Sequence, residues 1–174
     1  MDNDWSTATI SPPISSELYE QLKSIEPSLY GDMEYFPCLV TLRDGQVIDH
    51  VYVVPDQPYY RIWGIWPKDD DGKQKIDVQR VAFISESPSR LPVHIANTLY
   101  QAEESGMGYC VFTLEFNDGT NQTYVTGNAI DFVPMPLGQT VSEVSKVFPH
   151  EGRESENQLQ GLKYYWCLFN GVNK

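Results

Sequence analysis

Residues 91–133 read LPVHIANTLYQAEESGMGYCVFTLEFNDGTNQTYVTGNAIDFV, and this stretch decides the fold. Pro92 is typical of a helix's first turn, and helical spacing puts the following apolar side chains on one face: Ile95, Ala96, Leu99 and Tyr100. Gly106 is predicted to end the helix. Residues 109–116 then alternate as a strand, and Asn117-Asp118-Gly119 turns it back into a long return strand.

A short helix and a second hairpin are predicted upstream. Ser15 or Ser16 caps the helix, its shared face carries Leu18, Tyr19, Leu22 and Ile25, and Pro27 stops it. Residues 37–42 and 47–54 alternate on either side of Arg43-Asp44-Gly45-Gln46. Asp-Gly tolerates the positive φ that a tight turn requires, so this segment predicts a hairpin.

Shorter patterns complete the chain. Residues 59–66, 76–84 and 164–169 are predicted strands, the last of them in the core, and residues 67–73 form a polar tip. Thr140-Val141-Ser142-Glu143 matches a capping box and predicts a helix of two turns, closed by Pro149. Residues 152–161 are polar and predict a mobile loop.

The order of these elements predicts an α+β protein. Its sheet would be mainly antiparallel and twisted, or a partly open barrel, with one central helix and one or two short helices. A length of 174 residues suits one domain, and no linker composition divides it. We therefore predict a single domain over residues 1–174, with residues 1–13 frayed.

Charge restricts the partners that the chain can have. There are 24 acidic residues against 12 basic ones, which gives a net charge of −12. Such a protein repels phosphate backbones, so we expect no nucleic-acid partner. The acidity either keeps the domain soluble or attracts a basic protein partner.

The cellular location is predicted from the absence of membrane-spanning and signal-peptide patterns. No window approaches the run of about eighteen apolar residues that a spanning helix needs, and the acidic start differs from a signal peptide. We expect a cytoplasmic protein without a membrane partner. Cys38, Cys110 and Cys167 are odd in number and lie in apolar runs, so we expect buried, reduced thiols rather than disulfides.

No local motif predicts a metal or cofactor. Asp69-Asp70-Asp71-Gly72 lacks the alternating spacing of a calcium loop, and it is better explained as an exposed tip. His50, His94 and His150 stand at no metal-ligand spacing from each other or from a cysteine. The glycines of Gly106-Met107-Gly108 follow a helix instead of preceding one, which argues against a phosphate-binding loop.

Several runs together resemble a set of uncharacterised bacterial proteins: residues 87–92, 104–109, 127–128, 149–153 and 165–168. The resemblance implies a bacterial, single-domain protein. It implies no activity, and it assigns no catalytic residue.

The first candidate binding surface is the predicted strand over residues 59–66. One face would carry Tyr59, Arg61 and Trp63, and neither face is polar. Either the fold covers both faces, or one face is an aromatic surface that binds a partner or ligand, since Tyr, Trp and Arg dominate such contacts. Tyr164, Tyr165 and Trp166 would extend it if the last strand lies alongside.

The second candidate is the loop that carries His150, Glu151 and Arg153. Loops rich in ionisable groups are frequent sites on a rigid scaffold, and imidazole changes charge near neutral pH. A plain solvated loop is the alternative.

The sequence therefore favours a binding module for a protein or ligand over an enzyme. The alternatives are a small enzyme with a non-local site near His150 and a structural subunit of a homo-oligomer. A concave pocket with convergent polar groups would favour the enzyme, and a flat aromatic patch at a two-fold axis would favour the oligomer.

Overall fold

The structure is a computed structural model that describes residues 11–63, 74–151 and 158–174, with residues 62 and 63 described by their backbone alone. The described helices are α1 (Ser16–Lys23), α2 (Asp56–Trp63) and α3 (Val93–Gln101). The described strands are β1 (Ile14–Ser15), β2 (Ser28–Tyr30), β3 (Met33–Leu42), β4 (Val47–Pro55), β5 (Val81–Ser85), β6 (Cys110–Phe116), β7 (Asn121–Thr126), β8 (Val144–Pro149), β9 (Gln158–Gln160), β10 (Tyr165–Phe169) and β11 (Val172–Asn173).

The α+β class is confirmed. Antiparallel hairpins join β3 to β4 and β6 to β7, and parallel pairs join β1 to β11, β4 to β10 and β7 to β9. The sheets are mixed and are not closed into a barrel. None of the helices in the described parts of the chain is both long and apolar enough to cross a bilayer.

The chain divides into two compact units. Unit 1 comprises Met1–Pro27, Asp32–Glu86 and Tyr164–Lys174, and unit 2 comprises Ser28–Gly31 and Ser87–Lys163. Because both units draw on separated segments, neither can be cut from the chain as one continuous piece. This division does not test cooperative folding, so the single domain over residues 1–174 stays a prediction.

Unit 1 is built on β3 and β4, whose predicted hairpin is confirmed. The chain turns at Gly45, which has a φ of 90° that a β-carbon would strain. A bulge between Cys38 and Val40 interrupts the register, and opposite it His50 adopts a positive φ of 59°. Bulges re-aim side chains and add twist, so Asp49 and His50 do not follow simple strand alternation.

The short helix α1 is also confirmed. The Ser15 hydroxyl accepts the Leu18 N–H at 3.2 Å, as the N-cap pattern requires, and Leu18 and Leu22 are buried. Gln21 has a second role, since its side-chain oxygen accepts the N–H of Ile84 on β5 at 2.9 Å. That contact satisfies a strand N–H that β3 does not take.

Unit 2 contains residues 91–133, the stretch that decides the fold. Its sheet has the order β8-β6-β7-β9, and the β6–β7 turn places Gly119 at a φ of 84°. One face of β6 is in the core, which contains Leu91, Ile95, Leu99, Phe112, Leu114, Phe116, Tyr124, Ile130, Val133 and Val144. The predicted apolar face of α3 therefore supplies part of this core.

Two predicted boundaries in this stretch are wrong. Helix α3 ends at Gln101, before Gly106, because Ala102 is already extended at ψ 155° and Ser105 is held by tertiary hydrogen bonds described below. The return strand β7 ends at Thr126, well before residue 133. In both places long-range contacts override the local pattern.

The capping box at residues 140–143 forms, but the predicted two-turn helix is wrong. The Glu143 carboxylate accepts the Thr140 N–H at 2.7 Å and closes one 3₁₀ turn, Val141–Glu143. The chain then continues directly into β8, since residues 144–149 pair with β6. Sheet pairing here outweighs the helix start signal.

The remaining predicted strands are partly confirmed. Within residues 76–84, the part over Val78–Arg80 is a 3₁₀ turn and only β5 is a strand. The last core strand is confirmed as β10, which runs parallel to β4. Residues 1–10, the tip with Asp69-Asp70-Asp71-Gly72 and the loop residues 152–157 lie outside the described residues.

The stability of the protein at alkaline pH provides a test of the packing around Tyr124. Burial raises the pKa of Tyr124 to about 12, and the Tyr124 hydroxyl donates to the Pro134 carbonyl oxygen at 2.7 Å. Because the folded state holds the phenol neutral, this stabilisation is complete below the unfolded pKa of about 10 and is lost as pH rises toward 12.

We therefore expect Tyr124→Phe to cost about 1 kcal/mol at neutral pH, by leaving the Pro134 carbonyl without its donor. The difference from wild type should shrink as pH rises above about 10. Urea unfolding of both proteins along a pH series measures it. A difference that stays constant to the alkaline limit would contradict this account of Tyr124.

Candidate functional site

The predicted strand over residues 59–66 is wrong wherever the structure describes it. Residues 56–63 form helix α2, and residues 64–66 lie outside the described residues. A short apolar run fits helical and extended periods equally well, so flanking residues must decide between them. Here Asp56 favours the positive end of a helix, and Pro58 falls in the first turn, where its missing N–H is tolerated.

Tyr59, Arg61 and Trp63 therefore do not share a strand face. Tyr59 is 0% exposed and Arg61 is exposed, while the Trp63 side chain lies outside the described residues. Their role in binding is not tested by these positions and stays a prediction.

The aromatic residues do come together, but in the core of unit 1. The Trp166 ring centroid lies 4.9 Å from that of Tyr59, 5.0 Å from that of Tyr52 and 5.5 Å from that of Tyr35. Trp166 is 1% exposed. The predicted meeting of residues 59–66 with the last strand therefore produces a packed aromatic cluster, and the apolar area is buried by the fold itself.

His150 occupies a defined position just after β8. Its N–H donates to the Val111 carbonyl oxygen at 2.8 Å, which extends the pairing of β8 with β6. Its Nε2 lies 2.7 Å from the Thr113 hydroxyl, which in turn lies 2.7 Å from the Thr123 hydroxyl. A hydroxyl can donate or accept, so the two threonines satisfy this nitrogen in either protonation state.

A pocket of about 620 Å³, partly open to solvent, lies beside this histidine within unit 2. We call it the acidic pocket, and its lining residues are Ala102, Glu103, Glu104, Ser105, Pro149, His150 and Glu151. Ser105 joins its two walls, because the Ser105 hydroxyl donates to the His150 carbonyl oxygen at 2.7 Å and accepts the Val111 N–H at 2.8 Å.

Of the second predicted site, the structure brings His150 and Glu151 into one pocket, while Arg153 lies outside the described residues. The sequence analysis missed Glu103, Glu104 and Ser105. The available signal was a polar run directly after the helix, and it was not recognised because the helix was expected to continue to Gly106.

The electrostatics of the acidic pocket favour positive charge. Glu103, Glu104 and Glu151 contribute carboxylates, and the pocket begins at Ala102, the C-cap of α3. Helix C-termini carry a partial negative charge that basic side chains usually offset. Helices α1 and α2 have Lys23 and Arg61 in their last turns, whereas the last turn of α3 has no basic residue.

Glu104 also affects two neighbouring titratable groups, in each of which burial is the larger cause. Burial and then the Glu104 carboxylate raise the pKa of the Cys110 thiol. Burial and then Glu104 also raise the pKa of Tyr30. Both groups are therefore held in their protonated forms beside this pocket, so Cys110 is a poor nucleophile.

A buried polar network in unit 2 is a separate feature that the sequence analysis also missed. Asp131 is 0% exposed and accepts hydrogen bonds from Tyr100 and, at 2.5 Å, from Ser28, while Arg90 Nη2 donates to the Ser28 hydroxyl at 3.0 Å. Its members line no part of the acidic pocket. We assign it a structural role, since it holds β2 and α3 to the segment after β7 and leaves the buried carboxylate hydrogen-bonded.

The residues that the structure describes form no candidate metal site. No three His, Cys, Asp or Glu side chains in that part of the chain converge as a metal ion requires. Comparison with known proteins gives no match to a family model, to a curated protein or to a solved structure.

The pKa of Cys110 generates a prediction about thiol reactivity. Cys38 and Cys167 are buried and Cys110 is half-buried, so we expect Cys110 to react first but slowly in the native state. Glu104→Gln removes a negative neighbour and keeps an oxygen to accept the Gly108 N–H, which donates to Glu104 at 3.1 Å. Because the Cys110 pKa falls, alkylation of Cys110 should accelerate.

Rates are read by mass spectrometry of the labelled peptide at mildly alkaline pH. Glu103→Gln is the matched control, since it changes the net charge equally at the adjacent position. An unchanged rate in Glu104→Gln would show that Glu104 does not control this thiol.

Proposed function

We propose that this protein is a binding module whose acidic pocket receives a positively charged group, and that its partner is a basic protein that presents lysine or arginine side chains. The observation that carries the proposal is the pocket itself, a cavity of about 620 Å³ that is lined by three glutamates and by the C-cap residue of α3. Cavities of this size are typical of ligand sites in proteins.

The availability of the carboxylates supports the proposal. Glu103 and Glu151 are exposed, and neither forms an ion pair or hydrogen bond with another residue in the described parts of the chain. Other acids of the chain are paired, as Glu20 is with Lys23 and Glu115 is with Lys146. An incoming cation would therefore meet acids that need not first break an internal ion pair.

The overall charge supports the same partner. A net charge of −12 attracts a basic protein over a distance of about a Debye length, roughly 8 Å at physiological ionic strength. The pocket then adds a local, directional contact for one side chain of that protein. Experiment can separate the effect of the long-range field from that of the local site. Two variants of equal net charge have the same long-range field, and only one of them changes the pocket.

The test uses a fluorescent oligo-lysine peptide with wild type and two double variants. Glu103→Gln/Glu151→Gln neutralises the pocket, and Glu17→Gln/Glu26→Gln changes net charge equally at exposed positions of unit 1. Exposed ion pairs contribute about 0.2–1 kcal/mol each, so the pocket variant should bind roughly two- to thirtyfold more weakly. The control should stay close to wild type.

Fluorescence anisotropy at low and high salt measures these affinities, and the association rate should fall as salt rises. Equal weakening in both variants would mean that only the global field acts. No binding to wild type at low salt would overturn the proposal.

A small enzyme with its site at His150 is the second candidate, and two observations favour it. His150 lines a concave pocket, and its Nε2 lies 2.7 Å from the Thr113 hydroxyl, as a base lies beside a nucleophile. The pair differs from the base and nucleophile of known enzymes because Thr113 also contacts Thr123 and does not line the pocket.

A fluorophosphonate probe separates the two candidates. A reactive Thr113 would displace fluoride and gain a phosphonate that Thr113→Val abolishes. For a binding module we expect no adduct at Thr113, and digestion followed by mass spectrometry gives the answer. An adduct that also requires His150 would favour the enzyme.

A further inference from the structure

The solvent face of the unit 2 sheet carries an exposed aromatic side chain. Thr113 pairs directly with Phe148 on β8 and with Thr123 on β7. Directly paired residues point to the same face of a sheet, so these three form one row. Phe112 and Leu114, on the opposite face of β6, are 0% exposed, whereas Phe148 is 46% exposed.

This row leads directly to the acidic pocket. His150 lies two residues beyond Phe148, contacts Thr113 on the same face, and lines the pocket. One two-residue step along an extended chain spans about 6.6–6.8 Å. An exposed aromatic ring and the pocket wall are therefore separated by one repeat of an extended strand.

Among the described strands, none pairs with the outer edge of β8, and this edge is poorly suited to receive an added strand. Since the His150 N–H is directed at β6, alternation directs the backbone of Pro149 at the outer edge. Proline has no N–H to offer there, and proline at an edge is a known protection against strand addition. A partner is thus expected to contact side chains on the face of the sheet.

We propose that this face and the acidic pocket together bind an extended segment of a basic protein, with a lysine or arginine in the pocket and a large apolar side chain two residues away against Phe148. The inference rests on the proposed function and specifies its partner. An extended segment repeats at the same two-residue spacing, so both contacts form without bending the backbone.

Charge complementarity decides between this occupant and a second copy of the chain. Each copy carries a net charge of −12, so two copies repel each other around Glu103, Glu104 and Glu151. A basic segment is attracted by the same field, and its apolar side chain covers Phe148, an aromatic that is otherwise wetted.

The experiment compares two serine-based peptides of identical composition, each with one leucine and two arginines. In the first, leucine lies two residues from an arginine, and in the second it lies next to one, so that an extended backbone points it to the opposite face. We expect wild type to bind the first roughly tenfold more tightly, because truncating an interface anchor commonly has an effect of this size.

Phe148→Ala should remove this preference and leave the affinity for the second peptide unchanged, while Phe148→Leu should retain part of it. Phe83→Ala is the matched control, since Phe83 is a 50% exposed phenylalanine on β5 of unit 1, and it should keep the full preference. Calorimetry gives the affinities, and circular dichroism confirms that each variant folds.

The outcomes separate the two levels of the proposal. If both peptides bind wild type equally and Glu103→Gln/Glu151→Gln weakens both, the binding pocket stands and the Phe148 contact is overturned. A preference that persists in Phe148→Ala overturns it as well. If neither peptide nor oligo-lysine binds wild type, the proposed function fails and this inference fails with it.

Discussion

The register of β8 on β6 is the constraint on which the candidate site depends. It places Phe148 opposite Thr113 and leaves the His150 N–H to pair with Val111. Because side chains alternate along a strand, a slip of one residue would turn Phe148 and His150 toward the buried face that holds Phe112 and Leu114. The buried face of β6 and the hydrogen bonds of His150 to Val111 and Thr113 therefore act together to hold His150 in this position.

The fold could be predicted wherever the determining contacts are local. Ser15 caps α1 through a bond spanning three residues, and Asp-Gly turns close both hairpins because Gly45 and Gly119 take positive φ. The errors occur where distant residues decide. Residues 140–143 carry a genuine capping box, yet pairing with β6 converts the following residues into a strand.

The candidate site divides in the same way. His150 and Glu151 could be selected from sequence because ionisable residues in a loop are visible locally. Their facing wall, residues 102–105, could not, since it meets them through Ser105 bonds across 45 residues of chain. The strand prediction for the aromatic run was wrong for a different reason. Residues 59–63 fit both the helical and the strand period, and Tyr59 packs on Trp166 in the core of unit 1.

The charges at the acidic pocket are opposite in sign to those usually found at a helix C-terminus. Three glutamates line a pocket that begins at the C-cap of α3, and the last turn of α3 has no basic residue to offset the negative end of the helix dipole. Burial is the main cause of the raised pKa values of Tyr30 and Cys110, and the Glu104 carboxylate adds to both. A cation bound by all three acids would require the folded state, because only folding brings Glu151 beside Glu103 and Glu104. If the proposed cation binds there, binding at the pocket and the stability of unit 2 are linked, because a ligand that binds only the folded state stabilises it.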